Sequence, residues 1–342
     1  MTNPTFMRRE IDEIPVTVAR LLNEGRANLC DAAKALRVVQ PRFLVTVARG
    51  SSDHAANYLK YATELLIGIP VASIGPSVAS VYQSHLMANG GACLAISQSG
   101  KSPDILALTQ MLAATATPNV VLCNNPASPL AAMASHPVDI MAGPEVSIAA
   151  TKSFVSSVVA GLMILAQWKQ DHQLIAALDT LPNHLAKAAQ LDWPTFRNRL
   201  VARGPVLVLG RGPSYAVACE AALKLKETCA IHAEAYSAAE IMHGPLEIVD
   251  RRFTALCFAA EDAAEAGVIA VADQMVQTGA TTFVTSSRPS AALSVPHART
   301  GHPLTDPLAV IVSFYATVER LSRDLGRNPD QPAALKKVTE TT

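Results

Sequence analysis

Serine, glutamine and glycine residues are concentrated directly after an apolar run that ends near residue 97. The cluster consists of Ser97, Gln98, Ser99, Gly100, Lys101 and Ser102, and Pro103 follows it. Free backbone N–H groups at the start of a helix, with hydroxyl groups beside them, form a good binding site for a phosphate group. Ser102 alone would be explained as an ordinary helix cap, but the three serines together favour a phosphate-binding loop.

A second polar turn, Gly50-Ser51-Ser52-Asp53, follows the apolar run at 43–48. In a parallel α/β sheet, ligands bind at the carboxyl ends of the strands, beside the first turns of the helices. We therefore predict that Gly50, Ser51 and Ser52 lie at such an edge, as the serine cluster does.

Charged and titratable side chains are dense between Lys224 and Glu247, although only 16% of the chain is charged. They are Lys224, Lys226, Glu227, His232, Glu234, Tyr236, Glu240, His243 and Glu247. One interpretation is a solvated helix surface. However, His243-Gly244-Pro245 breaks any helix and places an imidazole on a turn, where acid–base catalysis is easily arranged. Together with a phosphate loop, these Glu and His side chains suggest proton transfer on a sugar phosphate.

The motifs of several other chemistries are missing. The sequence has neither a GxxxxGK[ST] loop nor a GxGxxG turn followed by a suitable acidic residue, so a nucleotide cofactor is not expected. It has no HExxH, and its nine histidines do not stand at ligand spacing, so we predict no metal and no other cofactor. The 28 basic residues balance the 28 acidic ones, which argues against nucleic acid as a partner.

Composition also limits the cellular setting. Half of the residues are hydrophobic and the mean hydropathy is +0.23, so the chain can bury a large core and a subunit interface. The most apolar segment, 154–168, is shorter than the roughly 20 residues needed to cross a bilayer, so we predict a buried or interface helix and no membrane partner. The N-terminus lacks the apolar region of a signal peptide. We expect a cytoplasmic protein with six reduced cysteines.

Alternating strands and helices must position these residues. Strands are predicted at 43–48, 71–74, 93–97, 120–122, 138–141, 206–209, 253–259 and 281–285. Helices are predicted at 7–38, 53–66, 103–115, 151–167, 214–229, 263–278 and 307–325. Pro15 should interrupt the first helix and Gly25 should weaken it, while 170–204 looks polar and less regular. Apolar strands separated by helices indicate an α/β fold with parallel sheets covered on both faces.

The chain carries an internal repeat. The segment Val45–Ser52 lines up with Leu207–Ser214, and each reads as a strand, then Arg-Gly-x-Ser, then a helix. At roughly 150 residues per domain, the length of 342 residues also suggests two domains. We predict an N-terminal helical arm at 1–42, α/β domains at 43–170 and 200–326, and a C-terminal tail at 327–342.

Several longer motifs occur in an order that resembles one family. They are Glu10–Pro15, Gly50–Ser52, Ser97–Ser102, Glu145–Phe154, Lys224–Glu227, His232–Tyr236, His243–Pro245 and Asp330–Pro332. This series resembles the double-SIS (sugar isomerase) family, in particular the isomerase half of glucosamine-6-phosphate synthase. The resemblance covers nearly the whole chain and implies two tandem doubly wound SIS-type domains.

The resemblance also implies roles for individual residues. Ser52, Ser97, Gln98, Ser99 and Ser102 match the sugar-phosphate loop, and Ile148, Ala150 and Lys224 match positions that line the pocket. Glu227 matches the carboxylate that moves a proton between C1 and C2. His243 matches a ring-opening histidine supplied by the neighbouring subunit, which implies a homodimer with shared active sites. In the tail, which closes the active site, Lys337 aligns with a Schiff-base lysine, and Lys336 remains an alternative.

Departures from the synthase point to the reverse reaction. A synthase has a glutaminase domain whose Cys nucleophile follows the first Met, and Thr2 stands at that position here. We therefore expect a chain that resembles the type II glucosamine-6-phosphate deaminases and releases ammonia from a phosphorylated amino sugar. Two alternatives stay open. One is another phosphosugar isomerase or a deglycase, since Lys101 and Ala150 replace an acid and a hydroxyl. The other is a phosphosugar-sensing regulator without turnover.

Overall fold

The computed structural model describes residues 4–115, 118–202, 204–335 and 337, and its chain divides into two compact units. The first unit comprises Val16–Glu145, Lys152–Asp179 and Lys336–Thr342. The second unit comprises Met1–Pro15, Val146–Thr151 and Thr180–Leu335. Each unit is built around one five-stranded sheet.

The described residues form helices α1 to α12 along the chain. Their bounds are Phe6–Glu24, Arg26–Val39, Ser51–Leu66, Ser77–Ser80, Pro103–Ala113, Pro129–Ala132, Lys152–Lys169, His172–Ala188, Pro194–Val201, Pro213–Cys229, Glu265–Gln277 and Asp306–Asp324. Two short 3-10 helices, Glu240–His243 and Pro245–Ile248, lie between α10 and α11. Within the described residues, no helix is both long enough and apolar enough to span a membrane.

The sheet of the first unit contains strands β1 to β5. They are Leu44–Val47, Val71–Ser73, Ala92–Ser97, Asn119–Cys123 and His136–Asp139. The strands are parallel and lie in the order β2-β1-β3-β4-β5. Helix α7 packs against α2 and α3, and nearly all of its side chains are buried, as predicted for the most apolar segment of the chain.

The sheet of the second unit contains strands β6 to β10. They are Val206–Gly210, Ala233–Ser237, Thr254–Phe258, Thr281–Val284 and Leu293–Ser294. The order is β10-β9-β8-β6-β7, again with parallel pairing throughout. Helix α10 packs against α12 and against strands β6 and β7.

The two sheets confirm the predicted α/β duplication. Read from the other end, the second order matches the first strand by strand, and Leu44 pairs with Ala92 as Val206 pairs with Thr254. The repeated Arg-Gly-x-Ser turn has the same backbone in both units: Gly50 has φ 58° and ψ −133°, and Gly212 has φ 57° and ψ −133°. Only glycine adopts this region readily, which explains why both turns contain it.

Three predictions about local structure were wrong. Helix α1 continues through Pro15, and the segment at 170–204 is largely helical, with Pro182 inside α8. Strand β7 lies in a segment interpreted as helical or irregular, and β5 begins two residues earlier than predicted. In α8, Leu174, Leu178, Leu181 and Leu185 are fully buried at helical spacing. Burying four leucines contributes about 1.5–3 kcal/mol each, which outweighs the roughly 3 kcal/mol that an interior proline costs.

Candidate active site

The serine cluster forms the loop between β3 and α5 in the first unit. Ser97 ends β3 and its hydroxyl accepts a hydrogen bond from the N–H of Gly100 at 3.1 Å. Ser102 stands at the N-cap of α5, but its side chain makes no capping hydrogen bond. The simple explanation of Ser102 as a cap therefore does not account for it. Its hydroxyl, the half-buried Gln98 and Ser99, and the first N–H groups of α5 can bind a phosphate group.

An ion pair holds this loop near the end of β1. Arg49 Nε lies 2.8 Å from Asp104 Oδ2, and the Asp104 side chain in the first turn of α5 is only 2% exposed. Gly50, Ser51 and Ser52 follow Arg49 and open α3. The pair thus links the starts of α3 and α5, which carry the two polar turns predicted from the sequence.

The corresponding edge of the second sheet is filled by the protein itself. Arg299 donates hydrogen bonds to the carbonyl oxygens of Ala259 and Thr285, both at 3.0 Å. Its guanidinium also pairs with Glu265 and with Asp306. These residues stand beside the ends of β8 and β9 and the starts of α11 and α12. An internal cation already occupies this edge, and alanines replace the serines of the first unit, so it is not built as a second phosphate loop.

Lys224 on α10 lies between two carboxylates in the second unit. Its Nζ is 2.5 Å from Glu227 Oε2 and 3.3 Å from Glu220 Oε1. Lys224 and Glu220 are fully buried, whereas 19% of the Glu227 side chain is exposed. Burial by itself lowers the pKa of Lys224, but the two carboxylates outweigh burial and raise that pKa above its ordinary value. A buried ammonium group therefore adjoins a carboxylate that solvent can reach.

The exposed side of Glu227 faces an open pocket of about 600 Å³. Its walls come from the last turns of α10 and from the chain between Gly326 and Leu335. Asn328, Gln331 and Pro332 are among the tail residues that line it. The tail thus lies over the carboxylate, and the pocket can admit a small polar ligand.

The segment that carries Ile148 and Ala150 is held by both ends of the second unit's chain. Glu10 Oε1 accepts hydrogen bonds from the N–H groups of Val146 and Ser147, and the carbonyl of Asp330 accepts one from Ile148 at 3.3 Å. Asp330 also accepts hydrogen bonds from the first N–H groups of α1. The motifs around Glu10 and Asp330 therefore position the segment that contains the half-buried Ile148 and Ala150.

Lys337 lies beside a buried carboxylate in the first unit. Its Nζ is 3.4 Å from Glu145 Oε2, and the Glu145 side chain is fully buried. Glu145 also accepts hydrogen bonds from the N–H and the hydroxyl of Ser153, at 3.1 and 2.6 Å. Lys336, the alternative Schiff-base residue, lies outside the described residues.

His243 stands apart from Glu227. It ends the first 3-10 helix, is exposed, and precedes Gly244, which has φ +140°. The predicted break after His243 is confirmed, but His243 does not line the pocket around Glu227. In the part of the chain that the structure describes, no three His, Cys, Asp or Glu side chains form a cluster suited to a metal ion.

Two neighbours of the site were not predicted. Glu220 precedes Lys224 by one helical turn, so the Glu-x3-Lys-x2-Glu spacing on α10 was a usable signal that both carboxylates flank the lysine. Tyr315 donates a hydrogen bond to Glu220 at 3.0 Å from the distant helix α12, and nothing in the local sequence indicates that contact.

Known proteins share this architecture. The solved structure of a candidate phosphosugar isomerase from Silicibacter pomeroyi is 54% identical, with a TM-score of 0.93 over 96% of this chain and 100% of that one. The C-terminal domain of glucosamine-fructose-6-phosphate aminotransferase from Francisella tularensis has a TM-score of 0.83 at 23% identity, over 96% and 99% of the two chains. Glucosamine-6-phosphate deaminase from Thermotoga maritima has a TM-score of 0.73 at 16% identity, over 93% and 100%. The last two show the fold alone.

Sequence comparison agrees with the structural comparison. A glutamine–fructose-6-phosphate aminotransferase (isomerizing) from Zymomonas mobilis is 31% identical over 97% of this chain. The chain spans about 58% of the length of that relative. The SIS domain model matches residues 39–167 and 200–293, one segment for each sheet. The chain therefore belongs to the SIS domain family, with two SIS segments, and is related to phosphosugar isomerases and to the isomerase part of the aminotransferases.

Proposed function

We propose that the protein converts glucosamine 6-phosphate and water into fructose 6-phosphate and ammonia. The carrying observation is the partly exposed carboxylate of Glu227, which lies 2.5 Å from the buried Lys224 and lines the tail-covered pocket. An adjacent ammonium group keeps a carboxylate ionised, and an ionised carboxylate can accept a proton from carbon. A base set up in this way favours turnover over a regulator that only binds phosphosugars.

The proposed chemistry needs one proton acceptor and one amine. His243 opens the sugar ring, and Glu227 removes the proton from C2 of the open-chain aldose and returns it to C1. C1 then becomes an alcohol and C2 an imine. The Lys337 amine adds to C2 and ammonia leaves, which forms a ketimine with the lysine. Water hydrolyses that ketimine, releases fructose 6-phosphate and regenerates Lys337.

The remaining predicted residues bind the substrate in this scheme. Gly50, Ser51 and Ser52 and the loop of Ser97, Gln98, Ser99 and Ser102 hold the phosphate, while Ile148 and Ala150 contact the sugar. The serine hydroxyl groups and the N–H groups at the start of α5 supply hydrogen bonds for a dianion without a cluster of lysines. The scheme uses no metal and no cofactor.

We further propose a homodimer in which His243 acts in the active site of the partner. Its exposure and its absence from the lining of the Glu227 pocket support this arrangement. Mixing inactive Glu227→Gln and His243→Ala subunits should restore activity, because a mixed dimer has one site with both native residues. After free exchange, half of the dimers are mixed, so we expect about a quarter of wild-type activity. No recovery, with exchange verified by mass spectrometry, would place His243 in its own subunit's site.

A coupled assay tests the proposed reaction directly. Purified protein with glucosamine 6-phosphate should release ammonia and fructose 6-phosphate in equal amounts. Glu227→Gln should abolish turnover and leave binding of fructose 6-phosphate within about twofold, because it removes the base but keeps the side-chain shape. Glu234→Gln, which changes an exposed glutamate on β7, is the matched control and should retain activity. Equal loss of turnover and binding in Glu227→Gln would mean a structural role for Glu227.

A second candidate is aldose–ketose isomerisation of a phosphosugar without release of ammonia. The name of the 54% identical Silicibacter protein favours it. It requires the same proton transfer by Glu227 but no amine on the substrate. Conversion of an unaminated phosphosugar, with no ammonia from glucosamine 6-phosphate, would establish this candidate and overturn the deaminase.

A further inference from the structure

The buried carboxylate of Glu220 has no part in the scheme above, although it adjoins the residues that perform it. Its Oε1 lies 3.3 Å from Lys224 Nζ and accepts a hydrogen bond from Tyr315 at 3.0 Å. The Glu220 side chain is fully buried, so no substrate atom can reach it without movement of α10 or α12. Any influence of Glu220 on the reaction must therefore pass through Lys224.

The charge balance of the cluster changes during proton transfer. Before transfer, one ammonium, that of Lys224, faces two carboxylates, those of Glu220 and Glu227. When Glu227 takes a proton from carbon, its negative charge is lost. Without Glu220, the fully buried Lys224 would then have no carboxylate beside it, and a buried charge without a counter-ion is strongly unfavourable. With Glu220 in place, Lys224 keeps a carboxylate partner in both states of Glu227.

We infer that Glu220 is a positioning residue: it is the fixed counter-ion of Lys224 that allows Glu227 to gain and lose a proton during turnover. Tyr315 holds the Glu220 carboxylate in place from α12. This role rests on the proposed function in one respect, since it requires Glu227 to accept a proton from carbon. It does not depend on whether ammonia is released.

Other charged and titratable groups also stand on the elements around α10. They are Asp306, Glu319, Arg320, Arg323 and Asp324 on α12, Glu234 and Tyr236 on β7, Cys257 on β8, and Lys226 and Arg327 beside the pocket. Buried Glu319 accepts hydrogen bonds from Thr5 and Arg323, and Glu234 bonds to Tyr236. The raised pKa of Lys224 is due to Glu220 and Glu227, which outweigh burial.

The test is exchange of carbon-bound hydrogen on fructose 6-phosphate in D2O, followed by NMR as a function of pH. This readout reports proton transfer whether or not ammonia is released. In Glu220→Gln, loss of the negative charge should make protonation of Glu227 harder. We expect about a tenfold fall in the exchange rate and an acid limb displaced by about one pH unit to lower pH. Binding of fructose 6-phosphate should change much less, within about threefold.

Two further variants separate this role from simple stabilisation. Glu319→Gln changes another fully buried glutamate, one bonded to Arg323 and Thr5, and should lower stability without moving the acid limb. Glu220→Asp keeps the charge with a shorter reach and should restore most of the exchange rate. If Glu220→Gln does not fold, Glu220→Asp decides the question through a smaller displacement of the limb in the same direction.

The outcomes distinguish this inference from the proposed function. Exchange by the wild type without release of ammonia overturns the deaminase alone. An acid limb that stays at its wild-type position in folded Glu220→Gln, or in Glu220→Asp when that variant must decide, overturns the role of Glu220. A wild-type protein that neither exchanges hydrogen nor releases ammonia overturns both.

Discussion

Replacement of Gly100 by alanine tests the geometry of the phosphate loop. Gly100 has φ +64°, and an added Cβ would lie 2.2 Å from Ser128 Oγ, 2.5 Å from Ser128 Cβ and 2.8 Å from Cys123 Sγ. A positive φ costs a non-glycine residue about 1–2 kcal/mol, and forcing an atom into a filled space costs about 1–3 kcal/mol. Gly100→Ala should therefore lower the free energy of unfolding by about 2–5 kcal/mol.

Urea unfolding followed by circular dichroism measures this loss, and Gly68→Ala provides the matched control. Gly68 lies in the same unit with φ +80°, and nothing lies within 4 Å of its added Cβ. Gly68→Ala should therefore show only the backbone cost, about 1–2 kcal/mol. An equal loss in both variants would refute the steric part of the reasoning.

A double-mutant cycle with Ser128→Gly isolates the clash. Ser128 caps α6 by accepting a hydrogen bond from Ala131 N–H at 3.2 Å, and glycine at a cap costs only a few tenths of a kcal/mol. Removing the Ser128 side chain makes room for the Cβ at position 100, so the double variant should recover at least about 1 kcal/mol relative to additivity. Losses that simply add would show that Ser128 does not limit the space beside Gly100.

Three further predictions concern electrostatics and reactivity. Burial raises the pKa of Asp192, but its hydrogen bond and ion pair with Arg197 outweigh burial and lower that pKa, so Asp192→Asn should lose about 1 kcal/mol of stability at pH 7. The difference from the wild type should shrink as the pH falls below about 4, and a pH-independent difference would contradict the ion pair as its cause. Glu145→Gln should reduce borohydride trapping of fructose 6-phosphate on Lys337 by about tenfold, as seen by peptide mapping, and unchanged trapping would remove Glu145 from the orientation of that lysine. Burial raises the pKa of Cys257 to about 12, so iodoacetamide at pH 8 should leave it unmodified in the native protein, and labelling would show that β8 opens.

The repeated Arg-Gly-x-Ser turn shows how much local sequence can predict. A continuous apolar run predicts a buried parallel strand, a glycine allows the required φ, and a serine or proline starts the next helix. These are short-range constraints, so β1, β6 and the starts of α3 and α10 were placed correctly. Strand β7 was missed because it lies at the edge of its sheet and carries exposed and half-buried side chains that lack an apolar pattern.

The sequence by itself determined the α/β class, the duplication, the family and the residues around which chemistry is proposed, because each depends on residue types within a few positions of one another. The tertiary structure decided which of these residues have charged neighbours. Glu220 became relevant only when its burial beside Lys224 and its bond to Tyr315 were known. Likewise, the edges of the two sheets differ because Arg299 fills the second one from a position far along the chain. Coulombic interactions and desolvation depend on distance in space, which local spacing does not specify for residues far apart in the chain.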